Sequence, residues 1–169
     1  MKHIEEDSEE SRRDRKENKN KEKKEGNFRC GYCSELTTSS EYVGTHHRNH
    51  CPGCLWSKHV DKDKSGDRQS TCGAMMEPVG ITFKQEGSDK YGRVRQGELM
   101  IVHVCSNAEC EKISINRIAG DDNSQAIINV FEQSELLSDE LKKCIKDQGI
   151  TLVKREEEAQ IRTQLFGRI

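Results

Sequence analysis

The sequence predicts a small, metal-stabilised α+β domain made of zinc-ribbon-like β-hairpins and cysteine knuckles with a helical C-terminal extension. Three observations carry that prediction. Two Cys-x2-Cys turns, Cys30/Cys33 and Cys51/Cys54, have the spacing that aims a pair of thiolates at one tetrahedral ion. Short alternating segments between residues 79 and 118 read as strands, and the turn Cys105-Ser-Asn-Ala-Glu-Cys110 between two of them holds two more thiols. From Ser124 onward the apolar period is that of a helix.

Composition sets the need for metal. Of 169 residues, 31% are hydrophobic, 5% aromatic and 34% charged, too little apolar mass for a packed core along the whole chain. Metal sites compensate in core-poor domains. Disulfides are the rival use of eight cysteines. The start of the chain is charged from Lys2 onward, without the apolar run of a secretory leader. The longest apolar run, Leu99 to Val104, is interrupted by His103 and is far too short for a membrane span. The expected compartment is therefore the cytoplasm, and the thiols read as metal ligands rather than disulfides. A net charge of −2 excludes a global nucleic-acid-binding signature but leaves room for a local patch.

Residues 1–26 read as a disordered charged arm. Lys2 to Glu25 holds nine basic and nine acidic residues, which cannot bury enough surface to offset chain entropy. Order is expected from Phe28, which precedes the first Cys-x2-Cys turn. Residues 34–47 form a polar lead-in to Arg48-Asn49-His50-Cys51-Pro52-Gly53-Cys54, and after Asp61 a loop runs to Ser70. Cys72 follows in a turn with Gly73. Val79 to Lys84, Glu98 to Cys105 and Ile113 to Ile118 are the expected strands, with Ser88 to Gly97 as a polar connection. Ile127, Ile128, Phe131, Leu136 and Leu137 read as helical. Ser138 is placed to cap a second helix ending before Gly149, and the Ile161/Leu165 spacing suits a third. The domain itself is expected over 27–123, with 124–169 as the extension.

The ligand count follows from the thiols. Cys144 lies mid-helix, away from the others, as a buried or free cysteine. Cys30, Cys33, Cys51, Cys54, Cys72, Cys105 and Cys110 remain, and two four-coordinate zinc ions need one histidine more. His59, separated from Cys54 by four residues, is the expected eighth ligand. The favoured grouping is interleaved: Cys51, Cys54, His59 and Cys72 at one ion, Cys30, Cys33, Cys105 and Cys110 at the other. The alternative pairs Cys30/Cys33 with Cys51/Cys54, whose seventeen-residue separation suits a finger, and leaves Cys72, Cys105 and Cys110 to share His59 or His103. A single site with spare thiols is a third possibility. His50 is a lesser ligand candidate, His103 reads as packed, His46 and His47 as neighbours of the knuckle, and His3 as part of the arm.

Arg48-Asn49-His50-Cys51-Pro52 spells the name of the RNHCP domain family, which this chain resembles over about residues 27–123. The resemblance extends to Phe28-x-Cys30-x2-Cys33, Cys54-Leu55-x-Ser57-x-His59-Val60-Asp61, Gly66-Asp67-Arg68, Cys72 and Asn116-Arg117-x-Ala119-x-Asp121-Asp122. The family's last thiol pair is typically tighter than Cys105-x4-Cys110. The resemblance implies a compact, bacterial-type, zinc-ribbon-like domain. It implies no reaction.

Two functions follow from the residues around the thiols. The first is a zinc-stabilised binding module for RNA, the ribosome or a protein partner. Its expected surface is Arg48, Arg68, Arg93, Arg95 and Arg117 with Tyr32, Tyr91 and Trp56. The second is a metal-dependent hydrolase, most plausibly a nuclease, using His50 with Asp61, Asp121 and Asp122 as hard-metal carboxylates. Against both stands a supporting role for Asp61, Asp67, Arg68, Asn116, Arg117, Asp121 and Asp122, in which they brace the knuckles, for example through an Asp67–Arg117 pair. Binding rather than catalysis is the expectation.

Overall fold

The computed structural model describes residues 27–38 and 48–167. The expected charged arm, His3, His46 and His47 lie outside the described residues. The described residues form a small α+β fold with two antiparallel sheets. Strands β1 (Phe28–Arg29) and β2 (Leu36–Thr37) pair around the first Cys-x2-Cys turn. Strands β3 (Ser57–Lys58), β4 (Met75–Ser88), β5 (Val94–Cys105) and β6 (Ile113–Arg117) form the second sheet in that order.

The β4–β5 hairpin is longer than the sequence pattern predicts. The first strand runs on past Lys84 to Ser88, and Val94 to Gly97, expected as part of a polar connection over Ser88 to Gly97, belongs to the second. Residues 84–88 and 93–96 are exposed on both faces, so no alternation marks them; the pairing is carried by backbone, across register shifts at Phe83/Gln85 and Gln85/Ser88. Gly97 is required there, because a side chain would run into the backbone of Lys84.

Helices α1 (Ser124–Ser134), α2 (Asp139–Asp147) and α3 (Glu158–Phe166) follow, with a short 3-10 turn at Arg155–Glu157. Asn123 caps α1, accepting from the N–H groups of Gln125 and Ala126. Ser138 caps α2 as its sequence position predicts, accepting from Leu141 N–H. Gly149, with φ +76°, terminates that segment.

Strand periodicity divides the sheet into two apolar faces. Ile81, Leu99 and Ile101 pack with Ile127, Ile128 and Phe131 of α1, Ile161 of α3, and Leu55 from the second knuckle. Val102 and Ile113 pack with Val79 and with Ile145 of α2. Both helical layers therefore share the core of the sheet that carries the thiols. No helix among the described residues is long and apolar enough to cross a membrane.

Candidate metal centre

The two Cys-x2-Cys turns are built alike. Cys30 N–H donates to Glu35 C=O at 2.9 Å and Ser34 N–H returns to Cys30 C=O at 2.9 Å. In the second turn Cys51 N–H donates to Trp56 C=O at 2.9 Å and Leu55 N–H to Cys51 C=O at 2.8 Å. Each turn closes on a left-handed residue, Ser34 at φ +64° and Leu55 at φ +65°. Leucine has no preference for that conformation. Its complete burial in the core, together with the bond it makes to Cys51, offsets the cost.

These turns face each other. The sulfurs of Cys30 and Cys54 are 3.5 Å apart, and those of Cys33 and Cys51 3.6 Å. Such separations are far beyond the ~2.05 Å of a disulfide and match the ~3.8 Å edge of a tetrahedron with ~2.3 Å metal–sulfur bonds. The rings of Tyr32 and Trp56 stack across the pair, with centroids 4.3 Å apart and planes within 4°.

The other four residues meet at one end of the larger sheet. His59 follows β3, Cys72 precedes β4, Cys105 ends β5 and Cys110 lies just before β6. In the antiparallel order β3-β4-β5-β6 these positions fall at the same end. Met76 pairs with both Ser57 and Cys105, which fixes the register. Cys72 and Cys105 sulfurs are 3.7 Å apart, and Cys110 Sγ lies 3.3 Å from His59 Nδ1. Gly73, at φ +63°, turns Cys72 back onto His59 through its N–H to His59 C=O. Four residues between Cys105 and Cys110 are accommodated because Cys110 N–H bonds Asn107 C=O and Cys105 N–H bonds Lys112 C=O.

Within each group of four the ligand atoms all lie within 4.8 Å of one another, so each could hold one metal ion. The groups are Cys30, Cys33, Cys51, Cys54 and His59, Cys72, Cys105, Cys110. The interleaved grouping is not formed, because the short β3 separates Cys51 and Cys54 before it from His59 beyond it, and β4 pairing carries His59 and Cys72 to Cys105. Burial pushes the Cys105 thiol up to about 11 and the Cys54 thiol still higher, whereas the backbone N–H of Ala74 leads the groups that hold the Cys72 thiol down near 6. Cys144 stands apart, exposed on α2.

The pentapeptide between the centres is a clasp. Arg48, with no exposed side-chain surface, bridges both oxygens of Asp121 at 2.7 and 2.8 Å and Asp122 Oδ1 at 2.5 Å. Asn49 donates to Asp61 Oδ2 at 3.0 Å and accepts from Arg68. His50 Nε2 donates to Asp122 Oδ2 at 2.8 Å. Cys51 enters the first thiol group, and Pro52 C=O accepts from Asn123 N–H at 2.9 Å, at the start of α1. Arg48, Asn49, His50 and Pro52 thus tie the second knuckle to the 61–68 loop or to the 119–123 turn. Behind it, His103 is fully buried, and burial holds its imidazole down near pH 4, neutral. Its Nε2 donates to Leu55 C=O at 2.7 Å, leaving Nδ1 to accept from Asn116 at 3.0 Å.

Several expected roles change accordingly. Arg48 is buried and unavailable to a partner. Arg117 pairs with Glu98, not with Asp67. Asp67 instead accepts from the backbone N–H groups of Lys62, Asp63, Lys64 and Gln69, with Lys64 foremost in holding its carboxyl below the usual range. The Glu35 carboxylate, 3.7 Å from Cys51 Sγ, is a neighbour of the thiols that spacing alone does not identify. The turn bond to Cys30 that positions it becomes visible only with the knuckle formed.

A family model described as the RNHCP domain matches residues 25–128, more than half of the chain. No curated protein and no solved structure matches it.

Proposed function

From a chain that belongs to the RNHCP domain family and gathers eight metal-ligating side chains in two groups of four, we propose a zinc-binding module whose metal sites are structural. The observation that carries this reading is the number in each group. Four protein ligands fill a tetrahedral zinc and leave no position for a water nucleophile. Cys30, Cys33, Cys51 and Cys54 would hold one ion, and His59, Cys72, Cys105 and Cys110 the other. Soft thiolates with one imidazole favour zinc over hard cations. Thiols borne on hairpin and knuckle turns support a zinc-ribbon-like description, and their use as metal ligands suits the reducing cytoplasm.

The partner assigned here is nucleic acid, RNA in particular, met by the tip of the β4–β5 hairpin. Of the residues expected to form a basic stacking surface, Tyr91, Arg93 and Arg95 lie together there and are exposed. Arg93 and Lys90 flank the Tyr91 ring at 5.7 and 5.0 Å from its centre. A fluorescent single-stranded RNA should bind the zinc-loaded protein with an affinity that falls steeply with salt. Tyr91→Ala combined with Arg93→Glu should weaken it at least tenfold with the zinc content unchanged. Absence of salt-sensitive binding at low ionic strength would remove nucleic acid and leave a protein partner. The hydrolase reading needs His50, Asp121 and Asp122 free for a hard metal, whereas all three are engaged in the clasp around Arg48. Nuclease activity abolished by Asp121→Asn in a folded, zinc-replete protein would restore it.

A further inference from the structure

The free edge of β6 is the feature the metal sites leave unexplained. Cys105 N–H donates to Lys112 C=O and Ile118 N–H to Leu99 C=O. By the alternation of an antiparallel ladder, the even-numbered residues of β6 then bond β5, while Ile113, Ile115 and Arg117 turn their backbone N–H and C=O outward. Among the described residues β6 has no second neighbour, and it is the last strand of its sheet.

This edge lies in a groove of about 330 Å³. One wall is the loop after β3, next to His59; the other is the segment after α2, with Gln148 and Ile150. The walls differ in chemistry. Ile115, 37% exposed, shares the sheet face of Ile113 and Val102, towards Ile150. On the loop side Lys58, Lys62, Lys64 and Lys112 line the groove against Asp61 and Asp63, an excess of two positive charges (4 − 2) in a chain whose net charge is −2. Asp61 is already engaged by Asn49, Gly66 N–H and Arg68 N–H. Lys112 is held over the groove by its bond to Lys62 C=O at 2.9 Å.

We propose that the β6 edge docks an extended acidic segment of a partner protein, which adds to the sheet as a fifth strand. Backbone pairing to Ile113, Ile115 and Arg117 supplies affinity, and period-2 alternation supplies selectivity. Alternate side chains fall on the apolar wall at Ile115 and Ile150 or on the lysine wall, so the segment alternates apolar and acidic residues. The site rests on the module reading only in that the loop beside His59 forms one wall.

The test uses the full, zinc-loaded chain and a fluorescein-labelled octapeptide of alternating glutamate and valine, with alternating lysine and valine as control. Fluorescence anisotropy should report binding of the acidic peptide alone. Ile115→Pro removes one outward N–H without touching a bond to β5, and should abolish binding. Lys62→Glu with Lys64→Glu should weaken it at least tenfold. Far-UV circular dichroism and zinc content should be unchanged in both variants. No binding by the parent protein, or undiminished binding by Ile115→Pro, overturns the site while leaving the zinc assignment intact. A dimer in sedimentation that Ile115→Pro dissociates would assign the edge to a second copy of this chain and overturn the acidic partner.

Discussion

Arg48 is a buried charge held by two carboxylates. Its guanidinium and the Asp122 carboxylate have no exposed side-chain surface, and Asp121 is partly open. A planar, forked donor satisfies both carboxylates at once, which a lysine ammonium cannot do. Removing one partner of a buried pair leaves an uncompensated charge and costs about 3–5 kcal/mol. Arg48→Ala should lower the unfolding free energy by about that amount in denaturant titration, and Arg48→Lys should recover only part. An unchanged midpoint for Arg48→Ala would contradict the clasp. Asp67 shows the opposite case, an exposed carboxylate satisfied by backbone. Its depressed pKa means that its contribution to loop order is present above the ordinary carboxylate value near about 4 and is lost as pH falls below it. Protection of the amides of residues 62–69, measured as exchange relative to the intrinsic rate at each pH, should fall on acidification in the parent protein and lose that fall in Asp67→Asn.

At the scale of elements, α3 completes a strand that β6 leaves short. Pairing of β6 to β5 ends at Met100/Arg117. Beyond it, Gln164 accepts from Leu99 N–H at 3.1 Å and donates to Gly97 C=O at 3.0 Å, so a side-chain amide continues the ladder. Ile161, with no exposed surface, anchors that helix in the core shared by β4, β5 and α1. Ile161→Ala should cost about 2–5 kcal/mol and expose the Leu99 amide to exchange. A loss near zero would show that α3 does not belong to the folded core. The helices were legible because caps and periodicity are local: Ser138, Gly149 and the Ile161/Leu165 spacing state them in sequence. The outer half of the β4–β5 hairpin was not, since strands exposed on both faces carry no alternation. Nor was the Asp67 turn, because an acceptor for four backbone donors looks the same in sequence as half of an ion pair.

For the whole molecule, the eight ligand candidates could be read from spacing and count, but their partition could not. Both groupings satisfy the same inventory of seven thiols and one histidine. What separates them is sheet register, which brings the ends of β3 and β5 and the approaches to β4 and β6 to one place, and leaves the two knuckles to face each other. The partition also explains the pentapeptide, whose members join the first centre to the loop leading from β3 and to the turn before α1. The most direct test is zinc per chain in two double variants. Cys33→Ser with Cys51→Ser removes two ligands from one centre and should leave one zinc of two; Cys51→Ser with Cys72→Ser strikes both centres and should leave none. Loss of both ions from the first variant and retention of one by the second would contradict the partition, and with it the account of how the two knuckles and the sheet end are assembled.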